Sequence, residues 1–376
     1  VVRVENYAQL RRNYGVPFAH AVEQELQDRI RAICGSGAKV TERGEGQVGI
    51  HWRHFDERLS TDAAGLRDRC RADLLLKLSR WARHECGSSS LAILKAEWVG
   101  PSELASTSAK ANVHLSANAW GQSPSLVDMD VAARVYRAIG EGRVALAYQP
   151  IRGTQDIGAV LYSECLMRIR PGPADAPLGP AQFIPSLERL GLMRFLDNYV
   201  VRRVVADLKR HPDKVLGVNI SAQSAIDDFW WAQTFSDLAT VPDAASRLIV
   251  EITETAQVYP GAARLFCNRL RQLGCRIAVD DFGAGFSQET GLELRHADIV
   301  KVDASILRGG GASPFASDLR ALVDIARGYA DQVVVEGIES EADLELARRA
   351  GASWGQGNYL ARPVGYALGL HWGGSA

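Results

Sequence analysis

From residue 144 onward the chain alternates short β-prone apolar runs with amphipathic stretches, and this rhythm limits the folds open to it. Strands are expected at Val144–Pro150, Ile157–Ile169, 214–220, 247–252, 275–280, 298–302, 332–336 and 354–360. Helices are expected at 129–140, 181–191, 195–210, 222–237, 260–273, 315–329 and 340–350, with a loop and helix at 281–296. The first two strands follow each other too closely for a crossover and read as a hairpin. The rest alternate with helices, as parallel strands require. Eight strands in about 240 residues fit a TIM-like (β/α)8 barrel with one antiparallel strand. An open doubly wound sheet has the same periodicity, because barrel closure leaves no periodic mark.

Seven of the runs end on a polar or acidic residue: Glu164, Asn219, Glu251, Asp280 with Asp281, Lys301, Glu336 and Gln356. In a barrel, the C-terminal ends of parallel strands share one face. Singly, each residue has an ordinary explanation. Asn219 could cap the next helix, Asp280–Asp281 could form a turn, and Lys301 could be a solvated side chain on a buried stem. Their recurrence on successive strands favours a site. Carboxylates gathered at one mouth would be driven toward protonation unless a cation is present, and hard divalent ions prefer such oxygens. Beside metals the pKa of Lys301 is expected to fall, so that it orients or deprotonates a water. Arg168, four residues after Glu164, suits a phosphate oxygen.

The composition excludes several alternatives. With 43 basic and 44 acidic residues, net charge −1, the chain shows no bulk preference for nucleic acid or an anionic membrane. The eight histidines have no HxH or HExxH spacing, which argues against a histidine-bound zinc. Six cysteines without a CxxC pair read as reduced thiols of a cytoplasmic protein. No apolar run of about 18 residues exists, and the VVRVENY start is not a signal peptide. The absence of an initiator Met reads as a fragment of a longer protein, to which a sensor or membrane anchor could belong.

The motifs ECLMR, VNIS, VEITE, DDFGAGFS, IVKVD, VEGIE and GQGNYLARP, in that order, make residues 128–376 resemble the EAL family of cyclic di-GMP phosphodiesterases. The resemblance implies hydrolysis of cyclic di-GMP to linear pGpG with two Mg²⁺ or Mn²⁺ ions, with Ca²⁺ inhibitory. It implies metal ligands at Glu164, Asn219, Glu251, Asp280 and Asp281, and catalytic roles for Lys301, Glu336 and Glu254. Arg168, Leu166, Gln356, Glu339 and Pro363 fall on the substrate side. The loop Phe282–Ser287, held by Glu254, is implied to couple the site to homodimer formation. Cys165 replaces the alanine of the name motif, a small apolar exchange that is expected to leave the thiol inert. A non-hydrolysing cyclic di-GMP receptor that signals to a protein partner is the alternative.

A polar, turn-forming stretch at 116–128 separates this region from residues 1–124. There, Phe18–Ile33 and Ala63–Arg83 have helical spacing, and Val48–Trp52 and Ser88–Leu94 read as strands. The opening VRVENYAQLRRNYG resembles the first strand and helix of a GGDEF domain, with the name motif reduced to Gly44-Glu45-Gly46-Gln47-Val48. Arg3, Glu5 and Tyr7 stand where that family's Asp-x-Asp-x-Phe is expected, and Arg11 and Arg12 at its Asn-Asp pair. An arginine in a metal-ligand position repels the ion. The resemblance therefore implies a degenerate, regulatory domain without cyclase activity.

Overall fold

The computed structural model describes residues 1–4, 6–35, 38–52, 74, 94–96, 126–170, 176–227, 231–253, 261–282, 297–303 and 319–365. The expected helix 63–83, apart from residue 74, lies outside them, as do the stretch 116–125, Glu254 and residues 283–296. The chain divides into two compact units. One comprises Val1–Arg143, Arg170–Ala176 and Ala181–Leu192; the other comprises Val144–Ile169, Pro177–Pro180 and Met193–Ala376.

The first unit contains β1 (Val2–Val4), α1 (Tyr7–Tyr14), α2 (Val16–Cys34), β2 (Ala38–Gly44), β3 (Gln47–Trp52), β4 (Leu94–Ala96), α3 (Leu126–Gly140) and α4 (Ile184–Arg189). Its antiparallel sheet has the order β2-β3-β1-β4. On α2, Ala19, Val22, Leu26 and Ile30 are buried at helical spacing. Strand β2 was not expected from the sequence, because it buries no side chain and so shows no alternation. It is held by its ladder to β3, which turns back at Glu45 and Gly46, both at positive φ. A β-carbon on Gly46 would meet the Tyr7 ring at 2.7 Å, so the turn between β2 and β3 lies directly on that ring. The Tyr7 hydroxyl donates to Glu23 Oε2 at 3.1 Å, with Glu23 itself buried on α2.

The second unit is a closed barrel. Its elements are β5 (Val144–Gly153), β6 (Val160–Ile169), α5 (Met193–Arg210), β7 (Leu216–Ile220), α6 (Ala232–Ala239), α7 (Pro242–Ser246), β8 (Leu248–Thr253), α8 (Ala262–Gln272), β9 (Arg276–Phe282), β10 (Ile299–Asp303), α9 (Leu319–Ala326), β11 (Gln332–Glu336), α10 (Glu341–Arg349), β12 (Trp354–Gly355) and β13 (Val364–Gly365). Strands β5 to β12 pair in sequence order, and β12 closes the ring on β5. Strand β5 runs antiparallel to both neighbours, and every other pairing in the ring is parallel. Closure removes the open-sheet alternative.

The helices cover the barrel with apolar stripes. Ala263, Phe266, Cys267 and Leu270 are buried on α8, and Leu319, Leu322, Val323 and Ala326 on α9. Inside the ring, Ile151, Tyr162, Ile249, Ala278, Ile299 and Val334 form the core beneath the strand ends. Helix α10 starts at Ser340, whose Oγ accepts from Asp343 N at 3.2 Å and donates to Asp343 Oδ2 at 2.9 Å.

Two expectations need correction. The last strand was expected over 354–360, but only Trp354 and Gly355 pair. The segment then turns, with Leu360 N donating to Gly357 O at 3.2 Å. A β-carbon on Gly357 would collide with the Ile338 backbone, so the chain packs against that backbone instead of extending. The helix expected at 222–237 is a short 3-10 turn at Ala222–Ser224, followed by α6 from Ala232. Ser221 caps that turn, accepting from Gln223 N at 3.4 Å.

Truncating Ile299, fully buried in the barrel core, to alanine should destabilise the second unit by about 2–5 kcal/mol. A urea titration followed by circular dichroism measures this, and a loss below about 1 kcal/mol would contradict the core placement.

Candidate active site

With Glu164 midway along β6 rather than at its end, the barrel brings these polar residues together around Lys301. Its side chain is buried on β10, and Nζ lies 2.7 Å from Glu251 Oε2 on β8 and 2.7 Å from Glu336 Oε1 on β11. Asp280 Oδ1 on β9 is 3.1 Å away, and Glu164 Oε2 on β6 is 3.3 Å away. Asn219 Nδ2 donates to Glu164 Oε1. Its side chain therefore joins the site, and the capping job goes to Ser221. The backbone N–H of Ser221 donates to the buried Asp197 of α5 at 3.0 Å, which anchors the turn after β7. Gln356 Nε2 donates to Glu164 Oε2 at 2.5 Å.

The two aspartates reach the same mouth through a bulge. Val300 pairs with Val279 and Val302 with Phe282, so β9 carries one residue more than β10 in this interval. Asp281 takes up the extra residue at φ +57°, a conformation that Asp tolerates better than most residues. In an unbroken strand adjacent side chains point to opposite faces. Here carboxylate oxygens of Asp280, Asp281 and Glu336 gather within 4.8 Å of one another, and those of Glu164, Glu251 and Asp280 form a second such group. Asp280 belongs to both.

Burial and like charge set the protonation. Burial pushes Glu251 up to about 8 against the pull of Lys301, and Glu164 and Asp280 add to the rise. Burial and then Asp280 lift Asp281 to about 6 and Glu336 well above the usual carboxyl range. For Glu164 burial acts upward, but Lys301 and the donors from Gln356 and Asn219 outweigh it and hold the group low. Burial alone would lower Lys301; Asp280, Glu164, Glu251 and Glu336 reverse that and hold its ammonium well above its ordinary pKa. The fall expected beside metals is thus not a property of the protein groups by themselves.

The donor chemistry fits a hard divalent cation. Glu251 Oε1, Asn219 Oδ1 and Gln356 Oε1 are buried and have no hydrogen-bond partner among the described residues. All are oxygens, and orphaned buried acceptors are costly unless something satisfies them.

Glu164, Leu166 and Arg168 alternate along one face of β6, leading from the cluster toward the strand end. Arg168 is half-buried and donates from Nη1 to its neighbour Met167 O at 2.9 Å. Glu339 is exposed and accepts from Asn358 Nδ2 at 3.1 Å, tying the segment after β11 to the turn after β12. Pro363 is partly buried just before β13. Cys165 points to the opposite face of β6 from Glu164, opposite Tyr148, and is buried at 3% exposure. Burial, then Glu251, Glu164 and Asp207, push its thiol up, so it stays protonated.

Sequence reasoning missed Gln149, Tyr162 and Gly217. Gln149 Oε1 accepts from Gln356 Nε2 at 3.3 Å, and its own amide donates to Ala361 O at 3.0 Å. A polar residue inside the apolar run VALAYQPI was the available signal. Tyr162 and Gly217 left none, since both look like ordinary strand residues.

The fold and acid-rich mouth define a class, and the comparisons agree. The EAL domain pattern matches residues 132–363, and the chain belongs to this family. A cyclic di-GMP phosphodiesterase of Pseudomonas aeruginosa is 33% identical over 61% of this chain and 40% of its own length. Cyclic di-GMP phosphodiesterase NbdA of the same species is 31% identical, over 63% of this chain and 31% of that protein. PdeB of Shewanella oneidensis, also named a cyclic di-GMP phosphodiesterase, is 30% identical over 62% and 28%. The chain thus spans less than half the length of these curated relatives. Among solved structures, PaMucR phosphodiesterase in complex with c-di-GMP matches at TM-score 0.54 and 27% identity, over 62% of this chain and 97% of that one. A Vibrio cholerae LapD S helix-GGDEF-EAL chain covers 96% of this chain, and 88% of its own length is matched, at TM-score 0.56 and 18% identity; this is a likeness of fold alone.

Protons and cations compete for the same oxygens, which gives the affinity for a divalent cation a definite sign with pH. Mn²⁺ should bind more tightly as pH rises through about 6, where Asp281 releases its proton, to about 8, where Glu251 does. Isothermal titration calorimetry across that window measures the trend. A flat or falling affinity would show that these carboxyls do not hold the ion.

Proposed function

We propose that this chain is a divalent-cation-dependent phosphodiesterase that hydrolyses cyclic di-GMP to linear pGpG. The observation that carries the reading is the arrangement around Lys301 Nζ, which lies within 3.3 Å of carboxylates from four strands, with Asp280 shared between two three-carboxylate groups. The relatives named as cyclic di-GMP phosphodiesterases support the substrate.

Glu164, Asn219, Glu251, Asp280 and Asp281 would hold Mg²⁺ or Mn²⁺, with Glu336 beside them. Two sites sharing Asp280 match the two three-carboxylate groups. Bound cations would supply Lewis-acid charge that polarises the phosphate and the attacking water. The protein groups supply the rest. Arg168 grips a phosphate oxygen through its guanidinium fork. Lys301, held protonated by the surrounding carboxylates, would align the attacking water and take part in its proton transfer at Nζ once bound cations offset that field. Gln356, oriented by Gln149, presents its carbonyl oxygen to the same space. Glu254 falls in this scheme as the holder of the loop after β9, and Leu166, Glu339 and Pro363 as the substrate-facing rim.

Residues 1–124 belong to the reading as a degenerate GGDEF-like regulatory domain. The likeness of fold to the LapD S helix-GGDEF-EAL chain supports the fold in this reading.

Incubation with cyclic di-GMP and Mg²⁺ or Mn²⁺ should yield pGpG, detected by chromatography, and Ca²⁺ alone should not support turnover. Lys301→Ala should lower kcat by at least about 100-fold while nucleotide binding survives. Binding without product in the wild type would replace the enzyme by a cyclic di-GMP receptor.

A further inference from the structure

Glu251 is fully buried, yet only one of its oxygens faces Lys301. The other, Oε1, has no hydrogen-bond partner among the described residues. The surroundings of that oxygen are unusual. A β-carbon on Gly217, in the adjacent strand β7, would strike Glu251 Oε1 and would also come within 2.5 Å of Tyr162 Cε2. Oε1 and the edge of the Tyr162 ring therefore share the slot that the missing side chain of Gly217 leaves open. Gly217 is at an ordinary φ in mid-strand, so space rather than backbone conformation calls for glycine there.

An aromatic ring carries partial positive charge at its edge. An edge placed against a carboxylate oxygen attracts it, and the attraction is strong where water is absent. Tyr162 is itself fixed, at 1% exposure, by Ile151, Ile249, Ala278, Ile299 and Val334. A ring so held keeps its place beside Gly217, next to the space that Glu251 Oε1 enters. Asn219 is the register partner of Glu251, so the strand carrying the slot also carries a neighbouring donor of the site.

We propose that Tyr162 is a positioning residue for Glu251, holding its carboxylate from below by the ring edge in the slot provided by Gly217. This rests on the cation-binding reading of the site. The ring does not touch substrate. It acts by keeping Glu251 in the rotamer that meets Lys301 and would meet a cation.

The test uses Mn²⁺ binding by isothermal titration calorimetry on the full chain, together with the kinetics. Tyr162→Leu keeps apolar bulk and removes the ring edge. It should weaken Mn²⁺ on the order of 10-fold, the effect usual for groups that orient metal ligands, and lower kcat while leaving KM for cyclic di-GMP unchanged. Tyr162→Phe keeps the edge and should restore both values. Gly217→Ala fills the slot and should weaken Mn²⁺ at least as much as Tyr162→Leu. Circular dichroism confirms that each variant is folded, and a variant that fails to fold is replaced by Tyr162→Met with the same expectations. Folded Tyr162→Leu and Gly217→Ala that bind Mn²⁺ like the wild type would overturn the positioning role. A loss in Tyr162→Phe equal to that in Tyr162→Leu would overturn the ring-edge account. Absence of Mn²⁺ binding in the wild type would instead remove the cation reading on which the proposal stands.

Discussion

One buried ammonium surrounded by carboxylates governs the electrostatics of the barrel. Lys301 Nζ contacts Glu164, Glu251, Asp280 and Glu336, which come from four different strands. A single positive charge cannot neutralise four carboxylates, and burial, with the uncompensated like charge added to it, pushes Glu251 and Glu336 upward. Removing charges from water is expensive, so such a cluster persists only where the surrounding fold over-determines it. The barrel does so by building the cluster on rigid strands above a packed core, with each acid contributed by its own backbone ladder. The same excess of negative charge suits the mouth to a hard cation.

The cluster is also shaped by two local departures from regular strand structure. The bulge in β9 turns Asp281 to the side of Asp280, at the cost of a positive φ. The absence of a side chain at Gly217 leaves the space that Glu251 Oε1 and the Tyr162 ring both approach. In both places a strand gives up its ordinary pattern where the chemistry is concentrated, as functional sites often do. The turn after β12 follows the same logic, since Gly357 allows the backbone to press on Ile338 and so carries Gln356 to Glu164.

Much of the fold and site was legible in residue order. The parallel strands carry β-branched runs, and each polar terminus stood out because it broke an apolar run, as Lys301 does in IVKVD. Strand β2 was invisible because it buries nothing, and the end of β12 was overextended because glycines within WGQGNY permit a turn as readily as a strand. Gln149 was overlooked because it lies on the antiparallel strand, outside the pattern of acids at parallel strand ends. Its importance comes from β12 closing on β5, a pairing between residues about 200 apart.

By itself the sequence determined most of the barrel's strands and the polar side chain that breaks each apolar run. These are properties of local periodicity and of residue chemistry. Tertiary structure alone decided that Lys301 sits among four acids, that Asp280 is common to two carboxylate groups, and that Glu251 Oε1 enters the space left open by Gly217. Those relations depend on register, on the β9 bulge and on ring closure, which bring distant residues within a few ångströms. Local pattern carries no record of such distances, because the same strands laid into an open sheet would show the same periodicity and separate the same side chains.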